Sequence, residues 1–203
     1  MLKLELTLVR HGKVEPLNLG ICYGWTDMSL NATGRGEAQK AGAFLADKEF
    51  DAVYVSPFKR TWETAWEILE QNPAMRDRKR ITTMEELREY YFGCWEGISY
   101  ESIVQKYPEL WQSYLDGNRE FSAPGGETIE GFTRRVCRGV DTILEKHSEG
   151  KILVVTHYGC ISTIIPYLLE LENCLGWRFR VQTGGVCTIE IEDGFARLSR
   201  LGI

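Results

Sequence analysis

Three residues of this chain stand where chemistry is commonly done. His11 follows the apolar run LTLV and Arg10, Arg60 lies in the first turn of a helix after DAVYVS, and His157 directly follows KILVVT. In an open α/β sheet, ligands bind beyond the carboxyl ends of the strands. If these strands are neighbours, two imidazoles and two guanidiniums, Arg10 and Arg60, converge on one rim. Such a cluster repels itself unless an anion occupies it. Arginine forks suit phosphate oxygens, and helix N-termini add oriented N–H donors. A phosphoryl group is the guest this chemistry fits. One neutral imidazole can attack phosphorus, and a second can stabilise charge on the equatorial oxygens of an in-line transfer. Taken singly, each of these residues is more simply a loop, core or surface residue; three strand ends converging is what raises the cluster above that.

The leaving oxygen needs an acid. The stretch EELREYYFGCWEG, residues 85–97, offers Glu85, Glu86, Glu89 and Glu96. A carboxyl beside a phosphate dianion has its pKa raised by like charge, which suits a general acid. Spacing alone does not choose among the four.

The elements that must hold these groups alternate between strand and helix. Leu4–Val9, Asp51–Ser56, residues 80–84 and Lys151–Thr156 read as strands, and Val186–Glu192 with Phe195–Arg200 as a hairpin around Asp193-Gly194. Helices are expected from Thr33 to about Asp47, from Ser56-Pro57 to about Gln71 with Pro at the first helical position, over 99–115 with a break at Pro108, from Thr128 to about His147, and over Ser162–Glu170. Uninterrupted apolar strands separated by helices imply an α/β fold: a three-layer α/β/α sandwich, its sheet mostly parallel with an antiparallel edge strand. TWETAWEILE and FTRRVCRGV read as plain helix faces, and His147 as a helix-end residue.

Composition excludes several classes. The 203 residues suffice for one sizeable domain, and 43% hydrophobic with 26% charged residues is a globular balance. Net charge is −5 and no basic run stands out, so neither nucleic acid nor an anionic membrane is an expected partner. No apolar stretch is long enough to span a bilayer, and Lys3 and Glu5 interrupt what would have to be a signal peptide, so a cytoplasmic location is expected. The six cysteines lie far apart with no C-x-x-C, which favours free thiols over disulfides or zinc. Cys174 to Arg180 satisfies the C-x5-R spacing of cysteine phosphatases, but Trp177, Arg178 and Phe179 crowd a loop that needs small residues. No G-x-x-x-x-G-K-[ST] is present, which speaks against a nucleoside-triphosphate-dependent kinase.

In LVRHG (8–12), GWTDMSLNATGRGEAQKAG (24–42), SPFKRTWETA (56–65), LREYYFGCWEG (87–97) and VVTHYG (154–159), taken in order, the chain resembles the histidine phosphatase superfamily, also called the phosphoglycerate mutase-like family. The resemblance implies that His11 becomes phosphohistidine and that Arg10, Arg60 and His157 line the phosphate pocket. It implies Glu89 as proton donor, four residues before Gly93. Asn18 would match a pocket asparagine, one residue further from His11 than is usual. Tyr158 is expected at the phosphate, and Tyr23 and Gly24 at the substrate. Lys13 replaces the commoner Glu after the R-H-G triplet. The cationic pocket implies no cofactor and no metal.

A lid is expected over residues 96–127. It carries Lys106 and Arg119 against Glu96, Glu101, Glu109, Asp116, Glu120 and Glu127, a balance that repels a multiply anionic substrate and favours a hydrolase over a mutase. Aromatic residues crowd the same region and suit a flat or apolar leaving group. WRFRVQTGGVCTIEI (177–191) resembles the carboxyl-terminal segment of the α-ribazole-5′-phosphate phosphatase branch, which serves cobalamin nucleotide-loop assembly. The expected partner is thus a small-molecule phosphomonoester, acted on by a monomer or a homodimer. The alternatives are a broad-specificity phosphatase, a phosphoglycerate mutase, and a phospholigand-binding scaffold without activity.

Overall fold

A computed structural model describes residues 3–15, 20–73, 81–171 and 178–203. Asn18, Cys174 and Trp177 lie outside them. Six strands form one sheet: β1 (Lys3–Arg10), β2 (Ala52–Val55), β3 (Ile81–Thr83), β4 (Gly150–Thr156), β5 (Val186–Glu192) and β6 (Phe195–Leu201), in the order β3-β2-β4-β1-β5-β6. The first four strands of that order run parallel, and β5 is antiparallel to both β1 and β6. The hairpin turns at Asp193 (φ 49) and Gly194 (φ 84), both in the left-handed region that a two-residue turn requires.

Both faces of the sheet are covered, and the strand sequences show why. On β4, Ile152 and Val154 point into one apolar cluster while Leu153 and Val155 point into the other. The first cluster takes Phe132, Val136, Val140 and Ile143 of α5 (Ile129–Lys146) with Cys160, Ile161, Ile164 and Ile165 of α6 (Tyr158–Leu168). The second takes Ala41 of α1 (Ala32–Phe44) and Ala65, Ile68 and Leu69 of α2 (Lys59–Glu70). This is the α/β/α sandwich the alternation implies. Between β3 and α5 stand two single 3₁₀ turns, Glu85–Leu87 and Gly93–Trp95, then α3 (Tyr100–Lys106) and α4 (Pro108–Leu115), which breaks from α3 at Pro108 as expected.

Two helix starts differ from the sequence reading. α2 begins at Lys59 with Phe58 at its N-cap, so Ser56 caps nothing and Pro57 precedes the helix. α6 begins at Tyr158, four residues before Ser162, so His157 itself is the N-cap residue. Ser56 has a long-range partner in His157, and local cap preference gives way to it. His147 does end α5, and its Nε2 lies 2.8 Å from the Tyr54 hydroxyl of β2. The five described cysteines are free thiols, with Cys22, Cys160 and Cys187 buried.

Candidate active site

Strand register brings the two histidines together. β1 and β4 pair in parallel with Arg10 opposite Thr156, and the His11 N–H donates to the Thr156 carbonyl at 2.9 Å. The next residues, His11 and His157, therefore leave the sheet side by side. Their rings stand 5.2 Å apart, edge to face. β2 continues the row: the Ser56 N–H donates to the Val155 carbonyl, which places the Ser56 hydroxyl 2.7 Å from His157 Nε2.

The hydrogen-bond network assigns both tautomers. The Arg60 guanidinium can only donate, and its Nε donates to His157 Nδ1 at 3.3 Å. His157 therefore carries its proton on Nε2 and donates it to Ser56. His11 Nδ1 lies 2.8 Å from the Gly12 carbonyl, which can only accept, so Nδ1 holds the proton and Nε2 keeps its lone pair. His11 is 2% exposed, and burial, followed by the charges of Arg60 and Arg10, holds its pKa well below the ordinary 6.5. Burial and Arg60 push His157 down in the same way.

Arg60 departs from the sequence expectation of a pocket-lining fork. It is 0% exposed, and it donates to the Gly24 carbonyl at 2.5 Å and the Thr26 carbonyl at 2.9 Å. Its guanidinium stacks on Phe58 and Tyr23. The backbone carbonyls of residues 24–26 hold it behind His157, where it acts as a buried charge. Gly24 is likewise spent on this support: its carbonyl takes Arg60, its N–H goes to Glu96, and a Cβ there would meet the Tyr90 carbonyl at 1.8 Å. Tyr23, by contrast, lines the cavity.

Arg10 faces that cavity. Its backbone is clamped by Gly185 and Gly184, and its Nη1 donates to the Val181 carbonyl at 2.8 Å. The Tyr158 ring supports the guanidinium from 5.1 Å. Arg10 Nε is buried without a hydrogen-bond partner among the described residues.

The four candidate carboxylates separate by what they touch. Glu85 is exposed and paired with Arg88. Glu86 does not line the cavity. The Glu96 carboxylate accepts the N–H groups of Gly24, Trp25 and Thr26 at 2.9–3.0 Å. Burial works against that charge, but the Thr26 hydroxyl and these N–H groups outweigh it and hold the pKa below the usual value. Glu89 is the one whose side chain lines the cavity. Its oxygens accept the N–H of Tyr90 at 2.9 Å and of Gly159 at 3.1 Å. Burial raises its pKa above 4.5 despite those bonds. A Cβ at position 159 would fall 2.2 Å from Glu89 Oε1, so a larger residue there would displace the carboxyl.

Arg135 was hidden in the sequence as part of a helix face. It reaches from α5 to the carbonyls of Glu86, Arg88 and Glu89 at 2.9, 3.0 and 3.2 Å, and Glu127 anchors its other side at 2.7 Å. It thus fixes the segment that carries Glu89. A signal existed: position 135 is three residues from Phe132 and four from Gly139, on the edge of the buried stripe.

Arg10, His11 and Glu89 open on a cavity of about 940 Å³, walled by Tyr23, Tyr90, Phe92, Tyr100, Tyr114 and Tyr158 near the site. The acidity inferred for 96–127 needs correction. Glu96 and Glu127 are turned inward to the bonds above, so neither adds charge to the cavity rim. The cations Lys13 and Arg119 do line the wall, paired with Glu37 and Glu130. Among the described residues, no cluster of three or more His, Cys, Asp or Glu is placed to hold a metal ion, and no helix is long and apolar enough to cross a membrane.

The depressed histidines have a consequence for stability. Below pH 6.5 the unfolded chain binds protons that the buried imidazoles refuse, so stability falls as pH drops from there towards their folded values. Each histidine contributes about 1.4 kcal/mol per pH unit within that window. Glu89, raised above 4.5, works in the opposite sense and recovers part of the loss at lower pH. Urea unfolding at about pH 7 and about pH 5.5 is expected to differ by roughly 2–3 kcal/mol. An unchanged stability over that interval would contradict neutral burial of the pair.

Comparison with known proteins bears on the same arrangement. The family model described as Histidine phosphatase superfamily (branch 1) matches residues 6–203. An adenosylcobalamin/alpha-ribazole phosphatase of Salmonella typhimurium is 30% identical over 198 residues, 98% of this chain and 96% of that protein. Phosphoserine phosphatase 1 of Hydrogenobacter thermophilus is 27% identical over 191 residues, 93% of this chain and 87% of that one. The crystal structure of the alpha-ribazole phosphatase from Shigella flexneri superposes with a TM-score of 0.87 at 30% identity, covering 98% of this chain and 96% of its own. These matches support an enzyme with phosphatase activity. With its histidine pair at adjacent strand ends and a profile match over nearly its full length, the chain belongs to the histidine phosphatase superfamily, branch 1.

Proposed function

We propose that this chain is a metal-independent phosphomonoester hydrolase that works through a phosphohistidine at His11, with α-ribazole 5′-phosphate as its preferred substrate. The observation that carries this reading is a neutral, proton-assigned His11 on the wall of an aromatic cavity that also holds Glu89 and Arg10.

The steps follow from the atoms. The phosphoryl group sits against Arg10 and the N-terminus of α6, with the charge of Arg60 behind His157 drawing the dianion in. His11 Nε2 attacks phosphorus, and the bond from phosphorus to the ester oxygen breaks. Protonated Glu89 gives its proton to that oxygen, so the leaving group departs as an alcohol. The phosphorylated ring is cationic, and the Gly12 carbonyl accepts its Nδ1–H. Glu89, now a carboxylate, takes a proton from water as the water oxygen attacks phosphorus. The N–P bond breaks, inorganic phosphate leaves, and His11 and Glu89 return to their starting forms. Both pKa shifts favour this order, because a lowered histidine and a raised carboxyl widen the range in which base and acid coexist.

The aromatic side chains along the cavity suit a benzimidazole riboside leaving group, as do relatives named for alpha-ribazole phosphatase activity. A panel of α-ribazole 5′-phosphate, phosphoserine, 3-phosphoglycerate and p-nitrophenyl phosphate, assayed with chelator present, tests the proposal. The expected result is the highest kcat/KM on α-ribazole 5′-phosphate, with no loss to chelator. Preference for phosphoserine would move the substrate to the second named relative's chemistry. Phosphoryl transfer from 2,3-bisphosphoglycerate to monophosphoglycerate, outpacing hydrolysis, would make it a mutase.

A further inference from the structure

Beyond the phosphate end, the cavity continues as a groove between α5 and α6. One face of α6 supplies Tyr158, Gly159, Ser162, Thr163, Pro166 and Tyr167; α5 supplies Ile129, Phe132, Thr133 and Cys137 opposite. Most of this wall offers no hydrogen bond that is not already used. Thr163 gives its hydroxyl proton back to the Gly159 carbonyl at 3.0 Å, and the Tyr167 hydroxyl is held by Asp141 at 2.6 Å.

Ser162 stands out because its unused hydroxyl is buried. It is 4% exposed, it lines the cavity, and its Oγ has no hydrogen-bond partner among the described residues. A buried hydroxyl left in that state costs about 1–3 kcal/mol, so such groups are rare unless something else satisfies them. The helix is also short of a backbone bond at this turn. Pro166 is the residue four positions on, inside the same helix, and a proline has no N–H to return to the Ser162 carbonyl. Ser162 thus brings to the cavity wall a hydroxyl, which donates or accepts, on a helix turn that lacks one backbone bond. It lies three residues past Gly159, whose N–H holds Glu89, or about 4.5 Å further along the helix axis. A distance of that order also separates the ester oxygen of a phosphorylated pentose from its nearer hydroxyls.

We propose that Ser162 is a specificity-determining residue, which hydrogen-bonds a hydroxyl of a polyhydroxylated leaving group such as a phosphorylated pentose. It touches neither phosphorus nor the ester oxygen, so it discriminates between leaving groups and leaves the phosphoryl chemistry alone. The proposal rests on the hydrolase reading above but not on α-ribazole as the substrate. The competing structural account is that the hydroxyl rotates to the Tyr158 carbonyl, as Thr163 does one residue later, and has no part in recognition.

The test compares wild type with Ser162→Ala on ribose 5-phosphate, its 2,3-dideoxy form and p-nitrophenyl phosphate. On ribose 5-phosphate the variant is expected to lose about 10- to 100-fold in kcat/KM, and on p-nitrophenyl phosphate less than about twofold. Wild type should lose a similar factor on the dideoxy ester, and the variant little more on it, because the two changes remove the same bond. Non-hydrolysable phosphonate analogues of the two pentose esters give the same comparison as dissociation constants, so the decision does not require turnover. An equal loss on all substrates, or none on ribose 5-phosphate, overturns the assignment. Failure of α-ribazole 5′-phosphate to outrank other esters would instead count against the substrate proposed above.

Discussion

Replacing His11 with alanine is expected to lower kcat/KM on every phosphomonoester by at least about 10⁴-fold, because no other group can form the covalent intermediate. The tautomer argument makes this sharper than a generic loss. His11 Nδ1 is committed to the Gly12 carbonyl, so only Nε2 can attack. His157, though 5.2 Å away, has Arg60 on one nitrogen and Ser56 on the other, and cannot substitute without breaking a buried bond. Rapid quench with ³²P-labelled substrate should trap an acid-labile, alkali-stable label on wild type and none on His11→Ala. Label persisting on the variant would move the nucleophile elsewhere. A wild-type protein that binds phosphomonoesters but never becomes labelled would be the scaffold considered from the sequence.

Glu89→Gln has the second largest expected effect, and it should depend on the leaving group. A carboxylic acid helps in proportion to the basicity of the oxygen it protonates, typically about 10²- to 10⁴-fold for a poor leaving group. For an alkyl phosphate such as a ribose 5′-ester, kcat/KM should fall by that range. For p-nitrophenyl phosphate, whose phenolate leaves unaided, kcat/KM should fall far less. Turnover on that substrate should then show a burst of p-nitrophenol followed by a slow phase, since hydrolysis of phosphohistidine still lacks its base. The substitution keeps the side-chain volume against Gly159, where there is no room for an added atom. Equal losses on both esters would show Glu89 acting only through its bonds to Tyr90 and Gly159, as a structural group.

Much of this architecture can be read in the sequence because it is local. β1 and β4 are short apolar runs with both faces buried, and the residue after each run must stand at the sheet's carboxyl edge, which places His11 and His157 without any coordinates. The Asp193-Gly194 turn, the break at Pro108 and the Thr128 cap of α5 are set by the chemistry of single residues. Errors gathered where a polar residue had a choice between a local and a distant partner. Ser56 reads as a cap and instead holds His157; Arg135 reads as part of a plain helix face and instead holds the carbonyls of Glu86, Arg88 and Glu89.

Charge behaved in the same way. Counting carboxylates over 96–127 gave the rim a negative field, yet two of them are turned inward to N–H groups and an arginine. Arg60 carries the charge expected of it but reaches the site from behind. By itself the sequence determined the sandwich, the meeting of two histidines and the phosphoryl chemistry that pair implies. Family resemblance singled out Glu89, but only the tertiary structure decided what each of the four carboxylates touches, where Arg60 points, and which nitrogen of each imidazole is free. The physical reason is that periodicity reports the face on which a residue lies, whereas hydrogen-bond partners between segments more than a hundred residues apart are fixed by strand register and loop geometry.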